Sequence, residues 1–146
     1  VREALHFTPK GKGTDIAGAL RYLDNVIARR AVTFIISDFF AKDFKKPLSI
    51  ANKRHDVVAI TIADPREAEL PNAGIVELVD AETGRSFTID TSSEKVRAGY
   101  LKNASAMKRE RAEIFGSVGV DHIDISTDKS YIEAFIKFFK MRKRRI

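Results

Sequence analysis

Acidic residues follow three apolar runs of the sequence, at the point where each run ends. Asp38, Asp64 and Asp128 stand in these positions, and a further acid, Asp15, stands beside Thr14 at the start of a helical pattern. If the three runs are parallel strands, their carboxyl ends meet at one edge of a sheet, which is where open α/β sheets bind ligands. Carboxylate and hydroxyl oxygens are ligands that Mg²⁺ prefers. This edge is therefore a candidate site for a metal ion or a binding partner.

The same residues also have a purely structural explanation. An Asp or Thr directly after a strand commonly caps the next helix, because its side-chain oxygen accepts a hydrogen bond from a backbone N–H of the first turn. Position alone does not separate a cap from a site at Asp38, Asp64 or Asp128. Both explanations stay open for each of the three.

The stretch TPKGKGTDIAGAL, residues 8–20, resembles a phosphate-binding loop because two glycines flank Lys12. The spacing Gly-x-x-x-x-Gly-Lys-Ser/Thr of such loops is absent, and the lysine lies between the glycines instead of after the second one. We therefore interpret the stretch as a loop that leads into a helix, with Thr14 or Asp15 as the cap.

Apolar periodicity predicts helices alternating with strands. Continuous β-branched runs, typical of strands buried on both faces of a parallel sheet, predict strands at residues 31–37, 56–64 and 120–126. A β-hairpin is predicted from residues 74–80 and 85–90 around a connection at 81–84, and we expect it to add an edge to the sheet. The predicted helices cover residues 15–29, 46–53, 91–116 or 91–119, and 127–145. These elements indicate an α/β fold with a mainly parallel sheet and an added β-hairpin.

In the last helix, apolar spacing predicts a buried face made of Ile132, Phe135, Ile136 and Phe139. Residues 137–146, at the C-terminal end of this helix and of the chain, hold six basic residues and no acid, and removing them leaves residues 1–136 with no net charge. This basic tail is either a solvated helix end, favoured by the helix dipole, or a surface for nucleic acid or anionic lipid. We expect no nucleic-acid binding, because the aromatic residues are assigned to the core.

Composition fits one globular domain in a reducing compartment. The chain has 146 residues and no Cys, which excludes disulfides and thiolate metal sites and suits a cytoplasmic protein. No apolar run approaches the roughly 18–20 residues that span a bilayer, and no signal peptide is visible. Because the chain begins at Val1 and not at Met, we expect it to be part of a longer protein.

Several motifs, in order along nearly the whole chain, resemble one protein family. They are GTDI, FIISDF, KRHDVVAITIADPREAELPNAG, DAETGRSFTIDTSS and GVDHIDISTDKSYIEAFIKFF. The sequence resembles the C-terminal half of bacterial proteins that carry the domain of unknown function 58. These proteins contain a von Willebrand factor A-like domain and are typically encoded beside MoxR-type AAA+ ATPases. The resemblance implies that residues 1–146 are the C-terminal part of one such domain, a Rossmann-like three-layer sandwich that lacks its first strands.

The resemblance also implies a function and a site. Domains of this kind bind other proteins through a metal-ion-dependent adhesion site, in which a partner carboxylate completes the coordination of Mg²⁺. By position, Thr14 and Asp38 match the separate Thr and Asp of that site. Its Asp-x-Ser-x-Ser motif is absent from this chain. Two protein ligands are too few for firm binding, so we expect Mg²⁺ in the complete protein and no tightly bound metal in these residues.

The expected function is a protein-interaction module without enzymatic activity, whose partner is a MoxR-type AAA+ ATPase. Asp15, Asp64 and Asp128 are the further candidates for partner contact at the edge of the sheet. The alternative is an Mg²⁺-dependent phosphoryl-transfer or hydrolytic enzyme that uses Asp38 and Asp64. Without its neighbouring strand, the strand from Ala31 to Ser37 has an exposed apolar edge. We therefore also expect self-association through this strand.

Overall fold

The computed structural model describes residue 6, residues 13–80 and residues 83–144. The glycine-rich part of the loop before Gly13 and part of the hairpin connection lie outside the described residues. The elements, in chain order, are α1 (Ile16–Val26), β1 (Val32–Ser37), α2 (Lys45–Arg54), β2 (Asp56–Ala63), α3 (Pro65–Ala68), β3 (Ile75–Val79), β4 (Ser86–Asp90), α4 (Glu94–Ser117), β5 (Asp121–Ser126) and α5 (Tyr131–Lys143).

Three strands form a parallel sheet in the order β1-β2-β5. The central strand β2 is almost continuously buried, which explains its uninterrupted apolar sequence. In the register, Phe34 lies beside Val58, and Ile60 lies beside Ile123. The prediction of an α/β fold with a mainly parallel sheet is confirmed. The three predicted core strands are present, with ends within one residue of those expected.

Two apolar clusters lie on opposite faces of this sheet. On one face, helices α1, α2 and α4 pack against β2. The residues of this cluster include Ile16, Leu20, Leu48, Val57, Ala59 and Phe115. On the other face, Phe138 of α5 packs with Val58, Ile60 and Ile123. The alternation of residues 57–60 between the two clusters follows from the period of two in a strand.

The hairpin is present, but it does not extend the main sheet. Strands β3 and β4 pair antiparallel and form a separate two-stranded sheet. Thr91 closes the base of the hairpin, since its hydroxyl donates to the carbonyl of Gly74 at 2.6 Å and accepts from the N–H of Ala73 at 3.0 Å. The expectation that the hairpin adds an edge to the main sheet is therefore wrong. The backbone hydrogen bonds of β3 and β4 are made with each other, and Thr91 holds the two ends of the hairpin together.

The buried face predicted for the last helix is also wrong at three of its four residues. Phe138 is the buried aromatic residue of α5, with 3% exposure, whereas Ile132, Ile136 and Phe139 are about half exposed, at 49–53%. Phe135 is half-buried at the margin of the cluster. The helix is apolar around a wide arc, so its periodicity did not identify which part of the arc meets a sheet only three strands wide. The assignment of Phe139 to the core, used above against nucleic-acid binding, does not hold.

Candidate functional site

The predicted acids lie at the carboxyl ends of the parallel strands. We call this region the rim: residues 37–38 after β1, residue 64 after β2, residues 126–128 at and after β5, and residues 14–15 before α1. Each carboxylate of the rim accepts at least one hydrogen bond from a group close to it in the chain. These bonds show which of the acids cap a helix.

Asp64 is both a cap and a link between two strand ends. Its carboxylate accepts from the N–H of Arg66 at 2.8 Å, which caps the short helix α3, and from the hydroxyl of Thr127 at 3.1 Å. The N–H of Thr127 donates in turn to the carbonyl of Ala63 at 3.1 Å. The backbone hydrogen bond from Arg66 and the hydroxyl of Thr127 lower the pKa of Asp64. The side chain is therefore ionised at neutral pH and fixed in direction.

Asp128 belongs to the turn that follows β5. Its carboxylate accepts a hydrogen bond from the hydroxyl of Ser126. The N–H of Lys129 donates to the carbonyl of Ser126 at 3.1 Å, which closes the turn. Asp128 is exposed, so its remaining acceptor positions face solvent.

Asp38 lies in a tight turn whose conformation is set by a buried aromatic residue. Its carboxylate accepts from the N–H of Phe40 at 3.2 Å and from the hydroxyl of Ser37 at 3.3 Å. Phe39 has a positive φ of 57°, which is rare for a bulky side chain. This conformation directs its ring into the core, where it makes an edge contact with Phe115 at 5.0 Å between centroids. The buried ring of Phe39 thus holds the exposed carboxylate of Asp38 outside.

Asp15 is the N-cap of α1. Its carboxylate accepts from the N–H of Gly18 at 2.7 Å. Thr14 is exposed, and it lines a groove of about 560 Å³ between α1 and β1 together with Ser37. The structure therefore brings Thr14 beside the strand that ends just before Asp38, while the carboxylate of Asp38 is hydrogen-bonded to its neighbours Ser37 and Phe40.

Two cations of α4 reach the rim, and the sequence analysis missed both. The guanidinium of Arg111 donates to the carbonyl of Asp38 at 2.8 Å, and the ammonium of Lys108 pairs with Asp124 at 3.1 Å. Both line a groove of about 490 Å³ that also contains Asp64. Arg111 is separated from Asp38 by 73 positions in the chain, and no local pattern signals such a contact. The rim therefore presents both signs of charge.

The described residues do not by themselves build a metal site. Within residues 13–80 and 83–144, no three Asp, Glu or His side chains converge in a way that would hold an ion. Thr14 and Asp38 supply at most a hydroxyl and a carboxylate, whereas Mg²⁺ takes six ligands in octahedral geometry. Thr14 and Asp38 fit Mg²⁺ only if further oxygen ligands come from outside the described residues. The expectation that the complete protein binds Mg²⁺ therefore stays a prediction.

His55 has a structural role. It is buried, its Nδ1 accepts from the N–H of Ala31 at 3.4 Å, and its Nε2 lies 3.5 Å from the carboxylate of Asp24. Arg54 donates to the carbonyl of Asp24 at 2.9 Å. These contacts tie the ends of α1 and α2 to the start of β1, away from the rim.

Residues 1–111 match the family described as "Protein of unknown function DUF58". The chain belongs to this family. An uncharacterized protein of Mycobacterium avium is 38% identical over 139 residues, which are 93% of this chain and 80% of that protein. No solved structure matches the chain.

The lengths of the relatives differ. Uncharacterized proteins of Mycobacterium tuberculosis and Mycobacterium bovis are 34% identical over 139 residues, again 93% of this chain but only 43% of each relative. This DUF58 chain thus spans less than half the length of these two relatives. Among the helices that the structure describes, none is long and apolar enough to cross a membrane.

Proposed function

We propose that this chain is part of a protein-interaction module whose contact surface is the rim. The observation that carries the proposal is that the carboxylates of the rim are exposed to solvent and yet held in fixed directions. Asp15, Asp38 and Asp128 are exposed, and hydrogen bonds to groups within three residues of each one fix their directions. Preorganised polar groups of both signs on an open surface favour recognition of another macromolecule, because little ordering entropy is lost on binding.

The proposal includes a von Willebrand factor A-like fold and an adhesion-type site. A parallel sheet with helices on both faces and oxygens at its carboxyl edge supports this assignment. In it, Thr14 and Asp38 would contribute oxygens to a bound Mg²⁺, which would supply a positive charge for a partner carboxylate. The remaining ligands would come from polypeptide outside the described residues.

The proposed partner is a MoxR-type AAA+ ATPase, and the contact would then be cytoplasmic. The support for this partner is the family resemblance, since such ATPases are typically encoded beside proteins of this family. The rim adds a chemical requirement. A partner must offer acidic groups to Arg111 and Lys108, and either basic groups or a shared metal ion to Asp38 and Asp64.

The lowered pKa of Asp64 argues against one form of the enzymatic alternative, in which this carboxyl group is the general acid. A general acid needs a pKa raised toward the working pH, and the pKa of Asp64 is lowered by the N–H of Arg66 and by Thr127. Asp64 would therefore be a poor proton donor. Asp38, the other carboxylate of that alternative, accepts from Ser37 and Phe40 in its own turn.

The test is a direct binding measurement with the purified MoxR-type ATPase of the same genome. The product of the complete gene is compared with its Asp38→Ala variant, with and without Mg²⁺. We expect Asp38→Ala to weaken binding at least about tenfold, the cost of roughly 1.4 kcal/mol, and excess chelator to have a similar effect. Glu77→Ala on β3 is the matched control, because Glu77 is an exposed acid away from the rim.

Each component of the proposal has its own failing result. Equal affinity for the Asp38→Ala and Glu77→Ala variants would reject the rim as the contact surface. Binding that is unchanged in excess chelator but lost in Asp38→Ala would reject the metal and retain the rim. No binding by the parent protein would reject the ATPase as partner.

A further inference from the structure

The groove of about 490 Å³ that contains Asp64 lies at the carboxyl ends of β2 and β5, between α4 and the start of α5. We call it the β5 groove. It includes neither Thr14 nor Asp38, so its chemistry is independent of the contact proposed for those two residues. Its apolar lining consists of Ala63, Pro65, Ala68, Ile125 and Ala134. A groove of this size can hold a small organic molecule.

The β5 groove has more unpaired positive charge than unpaired negative charge. Two of its acids already have partners, since Asp124 pairs with Lys108 at 3.1 Å and Asp64 accepts two hydrogen bonds. The groove residues that form no ion pair within residues 13–80 and 83–144 are Arg111, Lys129, Lys137 and Glu133. Three of these four are cations, so the groove favours an anion.

A buried hydroxyl without a partner lies in the wall of this groove. Thr61 of β2 is 2% exposed, and its Oγ1 has no hydrogen-bond partner among the described residues. Because Thr61 is in register with Asp124, its side chain lies on the face where Asp124 pairs with Lys108. The Lys108 side chain is 66% exposed, and a ligand reaches the hydroxyl when this side chain turns aside. A buried hydroxyl without a hydrogen bond costs free energy, so this position favours a ligand atom that bonds to it.

The start of α5 adds further donors to the groove. Ser130, the N-cap residue, lines the groove, and its hydroxyl makes no capping hydrogen bond. The N–H groups of the first turn therefore have no cap from this side chain, and the positive end of the helix dipole favours an anion there. Glu133 of the same turn is exposed and opposes an anion, but the three unpaired cations of the groove outnumber it.

We infer that the β5 groove binds a phosphomonoester, a phosphate group carried on a compact apolar body. One nitrogen of Arg111 donates to the carbonyl of Asp38, and a guanidinium has five N–H donors, so others remain for the phosphate. The phosphate takes hydrogen bonds from Arg111 and Thr61, and Lys129 and Lys137 supply positive charge nearby. A phosphomonoester carries nearly two negative charges and three acceptor oxygens, which match these cations and donors better than a carboxylate does.

Phosphorus NMR tests the inference. The product of the complete gene is titrated at constant ionic strength with phenyl phosphate, with N-acetyl-phosphotyrosine amide and with inorganic phosphate. We expect one of the two esters to bind at least about tenfold tighter than inorganic phosphate, because the apolar body adds contact area. The tighter ester identifies the source of the phosphate, a small molecule or a phosphorylated side chain. Equal affinity for all three probes, or no binding, would overturn the inference.

Three variants locate the site with the tighter ester. We expect Thr61→Val to weaken binding at least about tenfold, the effect of losing a hydrogen bond to a charged group, and Lys137→Gln to weaken it about threefold. Lys140→Gln is the matched control on α5, because Lys140 lies outside the groove, and it should leave the affinity unchanged. Equal affinities of the Lys137→Gln and Lys140→Gln variants would place the binding elsewhere and overturn the inference.

The stability of Thr61→Val separates a ligand-binding role of the hydroxyl from a structural one. Since Oγ1 has no partner to lose among the described residues, the urea midpoint of the unliganded variant should equal or exceed that of the parent protein. A lower midpoint together with unchanged affinity for the ester would show that the hydroxyl serves the fold, and would overturn the inference.

Discussion

At the scale of single residues, Asp15 and Gly18 act as a unit. The carboxylate of Asp15 caps α1 through the N–H of Gly18, and a Cβ built at Gly18 would lie 2.2 Å from an oxygen of that carboxylate. In this conformation the capping carboxylate occupies the space that a Cβ at residue 18 would take. A change at Asp15, a candidate partner contact, therefore alters which side chains residue 18 of α1 can accept.

This linkage predicts a non-additive double-mutant cycle. In the Asp15→Ala background, Gly18→Ala should raise the unfolding free energy by about 0.5–1 kcal/mol, the ordinary gain for Gly to Ala in a helix. In the parent chain the same change should give no gain, since the new methyl group displaces the cap, which is worth about 1 kcal/mol. Urea unfolding of the four variants measures the coupling. Equal effects of Gly18→Ala in both backgrounds would contradict it.

The lowered pKa of Asp64 predicts a pH-dependent contribution to stability. Its folded pKa lies below the unfolded value because the N–H of Arg66 and the hydroxyl of Thr127 stabilise the carboxylate. The contribution is thus fully present above the unfolded pKa, about 3.9, and is lost as the pH falls through the folded pKa. Asp64→Asn keeps a capping side chain but removes the titrating group.

We therefore expect the urea midpoint of the parent chain to exceed that of Asp64→Asn at neutral pH. The difference should disappear in strong acid, where Asp64 is protonated in both the folded and the unfolded states. Glu77→Gln, which removes an exposed acid on the hairpin, serves as the charge control. A difference that persists in strong acid would show that shape, and not ionisation, accounts for the effect.

At the scale of elements, the order and type of the strands could be predicted because each strand has a distinctive local sequence. The run that became β2 is apolar without interruption, and the structure buries it at the centre of the sheet. The orientation of α5 could not be predicted in the same way. Its apolar arc includes both Phe138 and Phe139, and the side that meets the sheet is decided by distant residues such as Val58 and Ile123.

Some groups of the rim could likewise be predicted from the sequence, and others could not. Asp38, Asp64 and Asp128 were predicted to meet at one edge, because parallel strands share the direction of their carboxyl ends. The contact of Arg111 with the carbonyl of Asp38 depends on the packing of α4 across the sheet, and no periodicity in that helix marks it. The position of a side chain that directly follows a strand can be predicted from the sequence. The position of a side chain that reaches the rim through helix packing can be known only from the folded structure.

The corrected orientation of α5 predicts opposite outcomes at two neighbouring phenylalanines. Phe138→Ala removes a ring that is 3% exposed, and the expected loss in unfolding free energy is about 3–4 kcal/mol. Phe139→Ala removes a ring that is about half exposed, and the expected loss is below about 1 kcal/mol. Thermal or urea unfolding of both variants measures the difference. A larger loss at Phe139 would restore the face predicted from the sequence.

At the scale of the whole molecule, the part of the basic tail that the structure describes, up to residue 144, belongs largely to α5 and contacts the sheet. The guanidinium of Arg142 pairs with Asp121 at 3.0 Å and with Asp56, and it lies 5.4 Å from the ring centroid of Phe138. The hydrogen bond with Asp56, followed by the charges of Asp56 and Asp121, raises the pKa of Arg142. Deleting the tail would therefore remove a contact between α5 and the sheet together with the positive charge.

A test of nucleic-acid binding must for this reason neutralise the tail without Arg142. We expect no binding by the parent chain at physiological salt, because residues 1–136 carry no net charge and Arg142 of the tail is already paired with Asp121 and Asp56. The variant with Lys140 and Lys143 both replaced by Gln is measured beside it. If binding occurs and depends steeply on salt, phosphate contacts account for it. Its loss in the Lys140→Gln, Lys143→Gln variant would then assign it to the exposed flank of α5 and contradict the expectation.

Among the residues that the structure describes, β1 pairs with β2 only, and its other edge predicts how the chain behaves when residues 1–146 are studied alone. Its face carries Phe34 and Ile36, both exposed, and an unpaired apolar strand edge favours association with another chain. We expect the mass measured by light scattering to rise with protein concentration. Ile36→Lys should return the chain to a monomer because a charge on an edge strand opposes pairing, whereas Val79→Lys on the separate hairpin should not. A monomer at every concentration would contradict self-association, and equal effects of the two variants would exclude β1 as its site.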